Sequence, residues 1–156
     1  MLYNIHMLKD KIQEDLKAAM IAKNEEALST IRMLKSALQY FEIQKGGAGY
    51  EATDEDVIEV VGREIKKRKE SIKMFEKGGR AELAEKESNE MDILKGYLPQ
   101  QLSEEEIRNL IDDAVSQTGA STMQDMGKVM GMLSTKIKGK ADGGLVSSIV
   151  REKLGA

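Results

Sequence analysis

Apolar residues return along this chain at spacings of three and four, with Lys, Glu and Gln between them. Ile5, Leu8, Ile12, Leu16 and Ala19 predict an amphipathic helix from about residue 4 to about 22. Asn24 marks a turn. Leu28, Ile31, Leu34, Leu38 and Phe41 then repeat the stripe to about Gln44. Two striped helices joined so briefly should lie antiparallel as a hairpin. Gly46-Gly47-Ala48-Gly49 reads as an exposed loop. Thr53 is placed to cap a third helix, with Glu55 and Asp56 suited to its dipole and Val57, Val61, Ile65, Ile72 and Phe75 inward. Gly78-Gly79 ends it. A shorter helix over about Ala81–Lys95 places Leu83, Met91 and Leu94 on its apolar side.

Tyr97-Leu98-Pro99-Gln100-Gln101-Leu102 is the clearest boundary, because Pro99 disfavours helix at Leu98. Ser103 and Glu106 then form a capping box, and Ile107, Leu110, Ile111, Ala114 and Val115 line a helix that Gly119 stops. Ser121 with Gln124 reads as a second box, opening a helix with Met126, Met130, Leu133 and Ile137 inside. A last helix carries Leu145, Val146, Ile149, Val150 and Leu154. The expected fold is all-α. An elongated antiparallel helical N-terminal part spans residues 1–98, and a small three-helix tail spans 99–156.

Composition narrows the function. Of 156 residues a third are charged, none is Cys or Trp, and one is Pro. The core must therefore be aliphatic and the outer faces wet. The absence of cysteine suits a reducing compartment, and no apolar run approaches the ~20 residues that span a bilayer. A cytoplasmic protein with no membrane partner is expected. The net charge of −3 confines any nucleic-acid binding to local patches.

Catalytic chemistry finds little purchase. The single His6 lies near a terminus that should fray, and no nucleophile–base pair, phosphate loop or dinucleotide fingerprint is present. Glu104–Glu106 and Asp112-Asp113 read as helix-start charge and a solvated face. No catalytic residue, metal ligand or cofactor is assigned.

Two basic patches remain. Lys128, Lys136, Lys138 and Lys140 have no acid among them, and they adjoin Gly139-Lys140-Ala141-Asp142-Gly143-Gly144, a helix stop followed by a new start. Asp142 would cap the last helix, leaving the amides of Gly143 and Gly144 at its positive end. Lysines converging there make a phosphate site. Gly127 and Gly131, one turn apart, would admit the close approach of another backbone. The same residues also read as a helical turn packed for stability, with solvated lysines. The second patch is Lys66, Lys69 and Lys73, which share a face of the third helix. Arg68 falls instead on that helix's buried stripe, where its stem would lie on the core and its head pair with Glu87 or Glu90, a direct RNA contact being the alternative. Met123, Met126, Met130 and Met132 suggest an adaptable surface, though Met126 and Met130 have core spacing.

The segments Asp92-Ile93-Leu94-Lys95-Gly96-Tyr97-Leu98-Pro99-Gln100-Gln101-Leu102-Ser103, Asp125-Met126-Gly127-Lys128-Val129-Met130-Gly131 and Lys138-Gly139-Lys140-Ala141-Asp142-Gly143 resemble the GatB/YqeY family. Residues 31–38 (IRMLKSAL) and 66–72 (KKRKESI) are similar to its N-terminal half, so the resemblance covers nearly the whole chain. The C-terminal part is similar to the tail domain of GatB, a subunit of tRNA-dependent amidotransferase, where that domain engages the tRNA body. The resemblance implies a tRNA-binding accessory module acting with aminoacyl-tRNA or amidotransferase machinery, without a catalytic centre of its own. A label of carbon–nitrogen ligase with glutamine as amide donor would be inherited from the tail. The implied RNA-facing residues are Gly127, Lys128, Gly131, Lys136, Lys138, Gly139, Lys140, Gly143 and Gly144. GatB tails often place a proline just after the turn before the last helix, whereas this chain has Gly143-Gly144. The alternative is a protein-interaction module that docks through the N-terminal helices.

Overall fold

The computed structural model describes residues 4–155, which fold into seven α-helices and one 3-10 turn, with no strand among them. The chain divides into two compact units, Met1–Leu98 and Pro99–Ala156, each around its own apolar core.

The first unit holds α1 (Met7–Ala22), α2 (Glu25–Gly46), α3 (Asp54–Lys77) and α4 (Ala81–Lys95). Helices α1 and α2 form the expected antiparallel hairpin. Lys9 near the start of α1 donates to Glu42 near the end of α2 at 2.6 Å, and Lys35 on α2 donates back to Gln13 at 2.6 Å. Asn24 caps α2, its side chain accepting from the Ala27 N–H. Ile12, Leu34, Val57, Val61 and Leu94 bring all four helices into one core. Tyr97 seals it: the ring is buried while the hydroxyl donates to Asp15 at 2.6 Å. Burial, with that carboxylate beside it, pushes the phenol above its ordinary pKa.

Two expectations fail at the chain's start. Helix α1 begins at Met7, so Ile5 lies outside it and is 53% exposed rather than on the buried stripe. The reason is that the backbone at Ile5 is used otherwise, its carbonyl accepting the Asp54 N–H at 2.7 Å. Nor does His6 hang loose, since its Nδ1 lies 2.8 Å from the carbonyl oxygen of Ala52.

Helix α3 starts on a capping box. Thr53 accepts from the Asp56 N–H, and Asp56 returns the bond to the Thr53 N–H. Asp56 also accepts from Lys45 (2.5 Å) and Tyr50 (2.6 Å). Burial alone would raise the carboxyl's pKa, but these bonds outweigh it and hold the group far below the usual range. The loop after α2 is thereby tied to the start of α3.

Arg68 is buried, as its place on the stripe required. Its Nη1 donates to Glu64 Oε2 at 3.1 Å, and its Nε lies 3.4 Å from Glu90 Oε2 on α4. Both carboxylates are nearly sealed from solvent, so one guanidinium holds two buried acids and ties α3 to α4.

Candidate nucleic-acid interface

The second unit consists of α5 (Glu104–Thr118), a 3-10 turn (Met123–Asp125), α6 (Met126–Ile137) and α7 (Gly143–Gly155). Helix α5 carries the Ser103/Glu106 capping box, each partner accepting the other's backbone N–H at 3.1 and 2.8 Å. Gly119 closes it in the left-handed region (φ +67°). The second box forms one residue later than expected. Thr122 and Asp125 are its partners, in place of Ser121 and Gln124, and the Asp125 carboxylate accepts from the N–H groups of both Ser121 (2.9 Å) and Thr122 (3.2 Å). An ionised carboxylate accepts two amides better than a neutral amide side chain can. Those bonds, with Lys128 nearby, hold the Asp125 carboxyl below its ordinary pKa.

Helix α6 buries Val129, Leu133 and Ile137 against Ile107, Ile111, Val146 and Val150. Met126 and Met130 flank this stripe, half-buried. The expected inward set was centred one side too far. Gly127 and Gly131 lie on the solvent face, and a side chain added at either would meet nothing within 4 Å. Among the described residues no other segment's backbone approaches them.

The turn that follows is sharply defined. Lys138 (φ −56°, ψ 120°) and Gly139 (φ +73°) occupy the central positions of a type II turn, closed by the Lys140 N–H on the Ile137 carbonyl at 2.8 Å. The third residue of such a turn needs positive φ, which explains the glycine between two lysines. The segment after Pro99 braces it from outside. Gln101 Nε2 donates to the Gly139 carbonyl at 2.8 Å, and the Leu102 N–H donates to the Lys140 carbonyl at 2.8 Å. Sequence reasoning missed Gln101, because a polar residue beside a proline carries no signal of a partner 38 positions away.

Asp142 caps α7 as expected, its Oδ1 accepting the Gly144 N–H at 2.7 Å. This changes the electrostatics of the expected anion site. One of the two glycine amides is already taken by a carboxylate, which places a negative charge at the helix start. Gly143 remains exposed, with open space around its Cα.

The four lysines are all exposed. At 3.6 residues per turn, Lys128 and Lys136 stand about 80° apart around α6, and Lys136 lies about 180° from Gly127. They fringe the helix and its turn rather than converge on one point. The charges around them are segregated. Arg108 pairs with Glu104 (3.0 Å) and Glu152 (3.5 Å), and Lys153 pairs with Asp112, so these two cations of α5 and α7 are neutralised. Lys136, Lys138 and Lys140 make no side-chain hydrogen bond or ion pair among the described residues. Helix α5 carries five acids against one arginine, whereas residues 126–141 carry four lysines and no acid.

In the first unit Lys66, Lys69 and Lys73 are exposed along one face of α3, and Glu59, Glu70 and Glu76 border that face. Arg68 belongs to the core. Among the described residues no three His, Cys, Asp or Glu side chains group as a metal site, and no helix is long and apolar enough to cross a membrane.

Fold and site together define an all-helical protein of two units, the second carrying a lysine-fringed helix and turn. The chain belongs to the YqeY-like protein family, whose model matches residues 9–154. It is 33% identical over 149 residues to altered inheritance of mitochondria protein 41, mitochondrial, of Pyrenophora tritici-repentis, covering 94% of this chain and 80% of that protein. The protein of the same name from Clavispora lusitaniae is 35% identical over 116 residues, 73% of this chain and 66% of that one. The Saccharomyces cerevisiae protein is 32% identical over 131 residues, 80% and 69% respectively. These names overturn the cytoplasmic expectation, since they point to mitochondria. Absence of cysteine and of a spanning segment describes a mitochondrial interior as well as a cytoplasm, so composition could not separate the two.

Proposed function

We propose that this protein is a tRNA-binding accessory factor whose Pro99–Ala156 unit grips the phosphate backbone. The carrying observation is the distribution of charge in that unit: Arg108 and Lys153 are paired with acids, while Lys136, Lys138 and Lys140 are left to solvent on and beside a braced turn. Lys128 extends the fringe along α6. Each phosphate contact would release a condensed counterion, which is the main source of sequence-independent affinity. The unit offers no aromatic side chain on which a base could stack, so backbone shape is read. Gly139 and Gly143 keep the surface at the turn low enough for a ribose–phosphate chain to approach, while Gly127 and Gly131 lie toward the far side of α6 from Lys136 and would serve only a chain that follows Lys128. Gly144 contributes less, its amide being held by Asp142. Lys66, Lys69 and Lys73 form a second basic face.

The similarity of this unit to the GatB tail supports tRNA as the ligand and amidotransferase or aminoacyl-tRNA machinery as the setting. The amide-transfer chemistry then belongs to the partner. Relatives named as mitochondrial support a mitochondrial setting. Crosslinking in cells followed by recovery of bound RNA tests the reading, with a Lys136/Lys138/Lys140 triple alanine as control. Enrichment of tRNA on the wild type and its loss on the control is the expected result. Recovery of no RNA, or of the same RNA on both, would contradict it.

A further inference from the structure

We infer that Met33 is a site of oxidative modification, at which the sulfoxide oxygen delivered by a peroxide is received by the guanidinium of Arg68. The sulfur already lies on that cation: Arg68 Nη2 donates to Met33 Sδ at 3.9 Å. Met33 belongs to α2 and Arg68 to α3, so the contact joins two helices of the first unit. The two residues differ in access. Met33 is 49% exposed, within reach of a dissolved oxidant, whereas Arg68 is 4% exposed and held in the core.

The guanidinium has donor capacity to spare. Its Nη1 is well used, donating to the Glu64 carbonyl at 3.3 Å and to Glu64 Oε2 at 3.1 Å. Its Nε lies 3.4 Å from Glu90 Oε2 but makes no hydrogen bond among the described residues. Its Nη2 meets a thioether, which is a weak acceptor. A buried donor without a good acceptor costs free energy, so a stronger acceptor brought to this edge of the guanidinium has a large effect.

Oxidation supplies that acceptor. The sulfur lone pair attacks one oxygen of hydrogen peroxide, the O–O bond breaks and an S–O bond forms. The displaced hydroxide takes the proton of the transferred oxygen and leaves as water, sulfur having lost the electron pair that the peroxide gains. Attack comes from the solvent side, and the unbranched, flexible side chain then turns the new oxygen onto Nη2. A hydrogen bond from a charged donor to that oxygen is stronger than one between neutral groups. At other methionines the same chemistry meets different surroundings. Met91 packs on the apolar core of the first unit, and Met126, Met130 and Met132 on that of the second, where an added oxygen is a polar intrusion. Met20 and Met74 are exposed, and their sulfoxides stay in water. Oxidation at Met33 therefore tightens the hold of α2 on α3, whereas at a core methionine it loosens packing.

The absence of cysteine leaves methionine as the main target of mild peroxide. Full-length protein treated with hydrogen peroxide and mapped by peptide mass spectrometry should carry a sulfoxide at Met33 along with Met20 and Met74. Urea midpoints of wild type and Met33→Leu are then compared before and after treatment, a pairing in which damage at every other methionine cancels. The gap should widen in favour of the wild type on oxidation. Met33→Gln places an amide oxygen where the sulfoxide oxygen would lie, at nearly the helix propensity of leucine, and should unfold at higher urea than Met33→Leu without any oxidant. That advantage should shrink in an Arg68→Lys background, which keeps a buried cation but not its planar fork. A gap that stays the same or reverses on oxidation would overturn the proposal. So would Met33→Gln no more stable than Met33→Leu, an advantage undiminished by Arg68→Lys, or Met33 left reduced while Met20 and Met74 are converted.

Discussion

Gln101 holds Gly139: its side-chain amide donates to the glycine carbonyl at 2.8 Å and fixes the apex of the turn that presents Lys138 and Lys140. Gly139→Ala should cost about 1–2 kcal/mol, because φ +73° crowds any Cβ. Gln101→Ala removes two bonds, to the carbonyls of Pro99 and Gly139, and should cost about 1–2 kcal/mol at exposed sites where each is worth about 0.5–1.5. Urea unfolding measures both. Each variant should also bind tRNA more weakly although neither changes the charge.

Arg68 answers for two buried acids, so its loss should be severe. Arg68→Ala leaves Glu90 buried without this cation and Glu64 with only the exposed Lys67 beside it, and a loss of about 3–5 kcal/mol is expected from denaturation. Variants that remove the acids as well, Glu64→Gln with Glu90→Gln, should recover part of it. If Arg68→Ala were neutral in stability but impaired RNA binding, its assignment to the core would be wrong.

Asp56 supplies an acid-sensitive link between α2 and α3. Its folded pKa is depressed, because Lys45, Tyr50 and Thr53 favour the carboxylate more than burial opposes it. The stability it contributes is therefore present above its unfolded pKa of 3.8 and lost as pH falls below that value toward the folded one. Urea midpoints measured from about pH 6 down to about pH 3 should drop less steeply in Asp56→Asn than in the wild type. Parallel curves would contradict this.

The Pro99–Ala156 unit has its own core of Ile111, Val129, Leu133, Val146 and Val150, each fully buried. Expressed as residues 99–156, it should melt cooperatively by far-UV circular dichroism. A gradual, sloping loss of helicity would show that it depends on the rest of the chain.

What the sequence made legible was local. The Ser103/Glu106 box, the Gly119 stop and the Asp142 cap each involve residues within four positions, and all three formed as read. The second box slipped by one residue because a 3-10 turn precedes α6, and Asp125 out-competes Gln124 for the free amides. Val129 was passed over for its neighbours Met126 and Met130, since periodicity fixes a stripe's direction only to within a residue. Arg68 was legible because a charge on an apolar stripe needs a buried partner, and Glu90 supplied it. Gln101 was not, because nothing local distinguishes a bracing glutamine from a solvated one.

The most direct measurement is a filter-binding series with tRNA across salt, for wild type, Lys138→Ala, Lys140→Ala and Gly143→Leu. We expect affinity to fall steeply with salt for the wild type. Each lysine variant should bind all tRNAs more weakly and reduce the slope of log K against log salt by about 0.7–0.9. Gly143→Leu should weaken binding with the slope unchanged, through bulk placed where there is now open space. Equal affinity and equal slope for all four proteins would contradict the account and favour the alternative, a protein-interaction module that docks through the N-terminal helices.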